Sequence, residues 1–310
     1  VQGEPTLAEV DAITEELRAW QPAVVVGIGG GSVLDAAKAA AILARHEGGV
    51  TPYFHQQRPL VHPSIPFVAL PTTSGTGTEI TRNSVLADPA TNLKQSLRHR
   101  HMIPAVAMVD PELTLGAPLS VTAASGLDAL TQAIESYLSL KANHATRALA
   151  LQAVRLLWPA LPRVCADGQD RAARTAMAEG SLLTAMAFGH SGLGAVHGLA
   201  HPLGLFLNLA HGQVCAILLP PVLRFNAPVV ADRLAELATA VGLASGPAFV
   251  TATGELVSAL GIPAGFRAAG LTAAHFPEIL AQCRSGSMAC NPRPMSDAEV
   301  LALLRDMAQV

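Results

Sequence analysis

Ala23-Val24-Val25-Val26-Gly27-Ile28-Gly29-Gly30-Gly31-Ser32-Val33-Leu34-Asp35-Ala36-Ala37-Lys38 decides the fold. Its first six residues are a short β-branched run of the buried-strand type. Three glycines and a serine follow, and Val33–Ala44 reads as an alanine-rich helix. The order is strand, glycine turn, helix. Glycines let the backbone approach an anion closely, and the helix behind them aims its N–H groups and positive dipole end at the same spot. Ser32 adds a hydroxyl, and a pyrophosphate is the natural guest. The spacing differs from G-x-G-x-x-G, so the usual dinucleotide argument does not transfer unaltered. The plainer reading is a turn that serves only the packing of helix on strand.

Working outward, Pro5–Trp20 has apolar residues at helical spacing (Leu7, Val10, Ile13, Leu17) behind Thr6, which is placed to cap. Downstream, Pro66–Leu70 reads as a second buried strand leading into Pro71-Thr72-Thr73-Ser74-Gly75-Thr76-Gly77-Thr78-Glu79. Hydroxyls and glycines at the C-terminal end of a strand sit where α/β sheets bind ligands. Alone, such a loop is as readily a capped turn. Ala105–Val109 reads as a third strand, ending at Asp110-Pro111. Strands alternating with helices imply a doubly wound parallel sheet. From about Val121 the texture changes. Ala123–Ser139, Thr146–Val164 and Arg171–Phe188 carry charges every three or four residues in alanine- and leucine-rich sequence, and no strand-like run returns. The expectation is a dinucleotide-binding α/β domain at 1–118 and an all-helical metal- and substrate-binding domain at 119–310.

Composition narrows the function. Half of the 310 residues are hydrophobic, enough to bury a core in one or two domains. A formal charge of −3 with 20 basic residues provides no basic stripe, which argues against nucleic acid. Mean hydropathy is positive, yet no window carries the 18 or more uncharged apolar residues of a membrane span. Gly, His, Asn or Pro interrupts even Leu193–Leu219. Cys165, Cys215, Cys283 and Cys290 lack C-x-x-C spacing and read as reduced thiols, without a disulfide frame or zinc knuckle. No signal-peptide pattern opens the sequence, which begins at Val1, and a cytoplasmic location is the expectation.

Four of the eleven histidines fall between His190 and His211. His197 and His201 are four apart, on one helix face. Pro202 and Gly204 then interrupt the helix, so that His211-Gly212 can swing back. Asp128 and Gln132 likewise share a face at i, i+4. Any one of these histidines reads as a core residue satisfied by a backbone carbonyl. His197, His201 and His211 with Asp128 read as the donors of a divalent transition metal. His144 and His190 read as surface or packing residues.

These segments, in this order, resemble the iron-containing (group III) alcohol dehydrogenase family. Gly29–Lys38 resembles its GGGSxxDxxK motif, and Pro71–Glu79 its PTTxGTGSE loop, with Thr78 where Ser is usual. Asp110-Pro111-Glu112-Leu113-Thr114 matches DPELT. Gly194–Gly204 followed by His211-Gly212 resembles the long histidine signature, and Asn291-Pro292-Arg293-Pro294 echoes a C-terminal NPR. The agreement runs from Pro5 to about Pro294. The resemblance implies the dehydroquinate synthase-like fold, with metal in the cleft between two domains. It makes Asp128, His197 and His211 ligands to iron(II) or zinc, with Gln132 at the family's fourth position. His201 becomes a proton-relay or substrate-positioning residue. Gly29, Gly30, Gly31, Ser32, Asp35, Thr72, Thr73, Thr76, Lys94 and Leu113 would line an NAD or NADP site. Two departures count. The family carries His where this chain has Gln132, a neutral and weaker donor, although related glycerol dehydrogenases manage with one Asp and two His. The family also has a strand–helix–strand unit ahead of the equivalent of Val1, which would hold part of the adenosine pocket and the residue that distinguishes NAD from NADP.

The expected activity is therefore hydride transfer between NAD(P) and a small alcohol or aldehyde. In it the cation polarises the hydroxyl, a nicotinamide takes the hydride, and His201 carries the proton outward. A homodimer is the default assembly for such an enzyme. Two rivals stay open at this point. One is a metal-independent reductase resembling maleylacetate reductase, for which Gln132 argues. The other is a non-catalytic nucleotide-binding or assembly protein. A lyase resembling dehydroquinate synthase lacks the basic cluster that a phosphorylated substrate needs.

Overall fold

A computed structural model describes residues 3–310. The sheet-bearing part comes first. Helix α1 (Leu7–Trp20) opens with a capping box, in which Thr6 accepts from the Glu9 N–H and Glu9 reaches back to Thr6. Strand β1 (Val25–Gly29) then feeds α2 (Gly31–Leu43), and a short turn of helix, α3 (Thr51–Phe54), follows. Strand β2 (Phe67–Pro71) pairs parallel with β1, with Val25 opposite Phe67 and Gly29 opposite Pro71. Next comes an antiparallel pair, β3 (Asn83–Asp88) and β4 (Leu93–Arg98). The short β5 (Val106–Ala107) closes the parallel sheet in the order β1-β2-β5.

Sequence reading found the three parallel strands and missed the hairpin. The inward positions of β3 are Ser84, Leu86 and Asp88, so period-two burial is present without a hydrophobic run to announce it. A second difference concerns β1. Its Val25 packs with Leu34, Ala41, Phe67 and Ala69 under α2, but Val24, Val26 and Ile28 lie on the opposite face and are exposed, as are Val106 and Met108 of the neighbouring segment. The run is apolar throughout, yet only one of its faces is packed among the described residues.

The polar interior of this part ties α2 to the loops around it. Lys38, 1% exposed, donates from Nζ to the carbonyls of Thr78 (2.7 Å) and Thr81 (3.0 Å). Asp35, one helical turn earlier, accepts from the Val85 N–H at 3.0 Å through Oδ2. Burial, the largest influence on both, pushes the Asp35 carboxyl up and pulls the Lys38 ammonium down.

The rest is helical: α4 (Leu119–Leu138), α5 (His144–Ala166), α6 (Arg171–Ser191), α7 (Ala195–Leu207), α8 (His211–Asn226), α9 (Ala231–Ala240), α10 (Gly246–Ala259), α11 (Phe276–Gln282) and α12 (Asp297–Met307). Helices α4, α5 and α6 pack together, and α4 and α7 both contact α8. One continuous apolar cluster, from Leu127 and Ile134 through Val214 and Leu218 to Phe249 and Leu304, fills the space between them. No helix among the described residues is long and apolar enough to cross a membrane.

The interruption expected at Pro202 and Gly204 lies elsewhere. Helix α7 runs through both residues and ends at Asn208, whose φ of 51° is left-handed. Proline inside a helix removes one backbone donor and crowds the carbonyl four residues back, yet here packing on α8 holds the helix together. The reversal that brings His211 back is made by Asn208, a residue type that tolerates this conformation.

Candidate metal and cofactor site

The sheet-bearing and helical parts share a cleft of about 2040 Å³. Gly30, Gly31, Ser32, Thr73 and Thr76 line it from one side, and Asp128, Gln132, His197, His201 and His211 from the other.

On the first side the geometry is set by the absence of side chains. Gly30 is the N-cap of α2 and provides no side-chain cap. The glycine turn and the threonine loop are pressed together: a Cβ on Gly31 would lie 2.7 Å from Thr76 Oγ1 and Cγ2. Behind the lining, the Thr72 N–H donates to the Gly29 carbonyl at 2.9 Å, locking the two loops in register. Glycines at a helix N-terminus beside hydroxyl-bearing residues fit a pyrophosphate. Lys94 reaches the cleft wall, where its ammonium pairs with Glu4 at 2.6 Å. Asp35 also lines the cleft, and its carboxylate accepts from the Val85 N–H and lies 4.0 Å from Lys38 Nζ, which ties α2 to β3. One sequence expectation needs correcting. Leu113 sits in a single 3-10 turn, Pro111–Thr114, and is absent from the cleft lining.

On the second side the site is made of buried and half-buried side chains from three helices. Asp128 and Gln132 project from α4, His197 and His201 from α7, and His211 from the first turn of α8. Gly212 permits the approach of α8 to α4, since a Cβ there would stand 2.2 Å from the Ala124 carbonyl oxygen. Asp128 Oδ1 lies 3.3 Å from His197 Nε2. The His197 and His211 rings are 5.4 Å apart edge to face, and His201 stacks on His211 at 5.2 Å. Asp128 Oδ1 and Gln132 Oε1 are buried without a hydrogen-bond partner. Two unsatisfied acceptors beside facing imidazole nitrogens are costly in an apolar interior unless a cation meets them. The donor set fits a divalent transition metal. Gln132 itself donates from Nε2 to Asp128 Oδ2 at 3.0 Å, which orients the carboxylate.

Glu135 was missed in the sequence. Its Oε2 meets His197 Nδ1 at 2.7 Å, and its Oε1 accepts from the Val196 N–H, also at 2.7 Å. The first contact turns His197 Nε2 toward Asp128, and the second places a carboxylate at the N-terminus of α7, where the dipole favours it. The signal was present, because Asp128, Gln132 and Glu135 stand at i, i+4 and i+7 on one helix face. Asn291, in the NPR segment, accepts from the Ala195 N–H at 3.1 Å and completes the cap. Cys215, one turn after His211, was read only as a reduced thiol and not placed at this site. It is fully buried, with Sγ 3.8 Å from His197 Nε2 and 3.7 Å from His211 Nε2.

The imidazoles have opposed tendencies. Burial works to lower His197, but Cys215, Asp128 and Glu135 outweigh it and raise its pKa well above the ordinary value. His201 and His211 are held well below theirs, by burial first and then by the positive charge of Lys94, with His197 acting on both.

Comparison with known proteins agrees along the whole chain. Residues 1–111 match the family model described as iron-containing alcohol dehydrogenase, and residues 122–308 match the C-terminal model of the Fe-containing alcohol dehydrogenase family. The probable alcohol dehydrogenase EutG of Escherichia coli is 36% identical over 304 residues, covering 97% of this chain and 77% of that protein. The 1,3-propanediol dehydrogenase of Klebsiella pneumoniae is 37% identical over 291 residues, covering 91% and 75%. Among solved structures, the sulfoacetaldehyde reductase of Bifidobacterium kashiwanohense in complex with NAD+ superposes with a TM-score of 0.93 at 30% identity, covering 99% of this chain and 82% of that one. With family models matched over residues 1–111 and 122–308, on a scaffold that carries the glycine turn and the histidine cluster in one cleft, the chain belongs to the iron-containing alcohol dehydrogenase family of NAD-linked alcohol and aldehyde oxidoreductases.

Proposed function

We propose that the chain is a metal-dependent dehydrogenase of small alcohols and aldehydes, working in a cleft between an α/β domain (1–118) and a helical domain (119–310). Asp128, His197 and His211 would hold an iron(II) or zinc ion. Gly30, Gly31, Ser32, Thr73 and Thr76 would seat the pyrophosphate and nicotinamide portions of NAD or NADP, with Gly29 and Thr72 holding the two loops together. The observation that carries this reading is the shared cleft: the buried carboxylate–imidazole cluster and the two glycine-containing loops line the same space.

A bound divalent cation supplies Lewis acidity at the substrate oxygen, and the nicotinamide supplies the hydride acceptor. The protein does the rest. Glu135 fixes the His197 ring, Gln132 fixes the Asp128 carboxylate, and the Gly31–Thr76 contact sets the distance between the two loops. His201, stacked on His211 and lining the cleft, is placed to accept the hydroxyl proton and pass it outward. The relative named for 1,3-propanediol makes that diol the first substrate to try. Reduced thiols and a cytoplasmic location accord with the four free cysteines among the described residues. A homodimer, the commonest assembly of soluble oligomers, is read by analytical ultracentrifugation.

The test is His211→Ala. Metal content measured by elemental analysis should fall to background and alcohol-dependent reduction of NAD or NADP should disappear, while cofactor still binds in a fluorescence titration. Full turnover by a metal-free His211→Ala protein would refute the reading.

A further inference from the structure

The cluster contains one donor beyond the carboxylate and imidazoles. Cys215 follows His211 by one turn in α8, so the two side chains share a helix face. One donor atom from each of Asp128, His197, His211 and Cys215 lies within 4.8 Å of every other. Their spacing carries chemical information. With metal–nitrogen bonds of about 2.0–2.1 Å and a metal–sulfur bond of about 2.3 Å, a tetrahedral site places sulfur ~3.6 Å from each nitrogen, and oxygen ~3.4 Å from nitrogen. The corresponding distances here are 3.7 and 3.8 Å for Cys215 Sγ to the two imidazole nitrogens, and 3.3 Å for Asp128 Oδ1 to His197 Nε2. A second observation points the same way: Asp128 is 2% exposed, and its Oδ1, on the side of the cluster, has no hydrogen-bond partner.

Position 132 lacks the imidazole nitrogen of the family's fourth position: Gln132 offers only a weaker neutral amide oxygen, its Nε2 being bonded to Asp128 Oδ2. We propose that Cys215 is the fourth protein ligand of the metal, and that the set Asp128–His197–His211–Cys215 selects zinc over iron(II). The inference rests on the metal-dependent reading above and deepens it. One carboxylate and one thiolate neutralise a dication, which suits a site where Asp128, His197 and Cys215 are each no more than 2% exposed. On binding, the Cys215 S–H bond breaks, a sulfur–metal bond forms and the proton leaves to solvent. Thiolate sulfur is a soft donor and would favour zinc over iron(II) at this site.

The experiment uses the intact chain loaded with cobalt(II), and separately with zinc. Cobalt-loaded wild type should display sulfur-to-cobalt charge-transfer absorption in the near ultraviolet, and zinc-edge X-ray absorption should resolve one sulfur at about 2.3 Å. Cys215→Ser should lose both signatures and bind zinc at least tenfold more weakly, while a Cys165→Ser/Cys283→Ser/Cys290→Ser variant keeps them. If Cys215→Ser does not fold, the wild-type spectra decide alone. Stoichiometric metal surrounded only by nitrogen and oxygen overturns the Cys215 assignment and leaves the dehydrogenase reading standing. A band that survives Cys215→Ser overturns the assignment too. A chain that binds no cobalt, zinc or iron overturns both together.

Discussion

The two sides of the cleft are built on opposite principles. The helical side works through what its side chains are: Asp128, Glu135, His197 and Cys215 are polar groups drawn into an apolar interior, with the half-buried His211 beside them. The sheet side works through what its residues lack. Gly31 makes room for Thr76, and the uncapped start of α2 leaves the lining to backbone and hydroxyl groups. A cation needs fixed donors of particular chemistry, and burying them is costly until the ion is present. A pyrophosphate needs close backbone approach and oriented N–H groups, which almost any sequence can provide once side chains are out of the way. Substitutions on the helical side should therefore act on metal affinity through the network, and those on the sheet side on cofactor affinity through space.

The larger effect is expected at Glu135. Glu135→Gln keeps the shape but weakens the hold on His197 Nδ1. Outer partners of metal-bound histidines typically account for roughly 10–100-fold in metal affinity, so zinc affinity measured by competition with a chromogenic chelator should drop by that much. Affinity for NAD should stay within error. A fall in NAD affinity with zinc unchanged would break the division of labour described here.

The smaller effect is expected at Gly31. A Cβ there meets Thr76 at 2.7 Å, closer than side chains tolerate. Relieving such overlap costs about 1–3 kcal/mol, and if the loop gives way by spreading, NAD binding weakens by about tenfold. Isothermal titration of Gly31→Ala should find that loss with zinc content intact. Unchanged NAD affinity would mean that the threonine loop yields without moving the cofactor-binding surface.

The same contrast explains what could be read from sequence. The glycine turn was legible because three consecutive glycines between an apolar run and an alanine-rich helix have few other uses. The positions Asp128, His197 and His211 stood out because histidine is rare and i, i+4 spacing is easy to see; the structure brings these side chains into one cluster. Glu135 and Cys215 sit at the same kinds of spacing, but their residue types are common in other roles, a solvated helix charge and a small core residue, so the spacing alone was a weak signal. The β3–β4 hairpin hid because two of the three inward positions of β3 are polar and β4 buries only Leu97. Pro202 misled for a local reason. Its effect on an isolated helix is disruptive, while in α7 tertiary packing prevails and Asn208 makes the turn.

The central claim is that turnover depends on a cation at the Asp128–His197–His211 cluster. Strip the protein with a chelator, restore zinc or iron(II) in steps, and measure at each step the metal bound per chain and the rate of alcohol-dependent NAD or NADP reduction. The account predicts no rate in the stripped protein and a linear rise that levels off at one ion per chain. A rate that is full in the stripped protein and indifferent to added metal would contradict it.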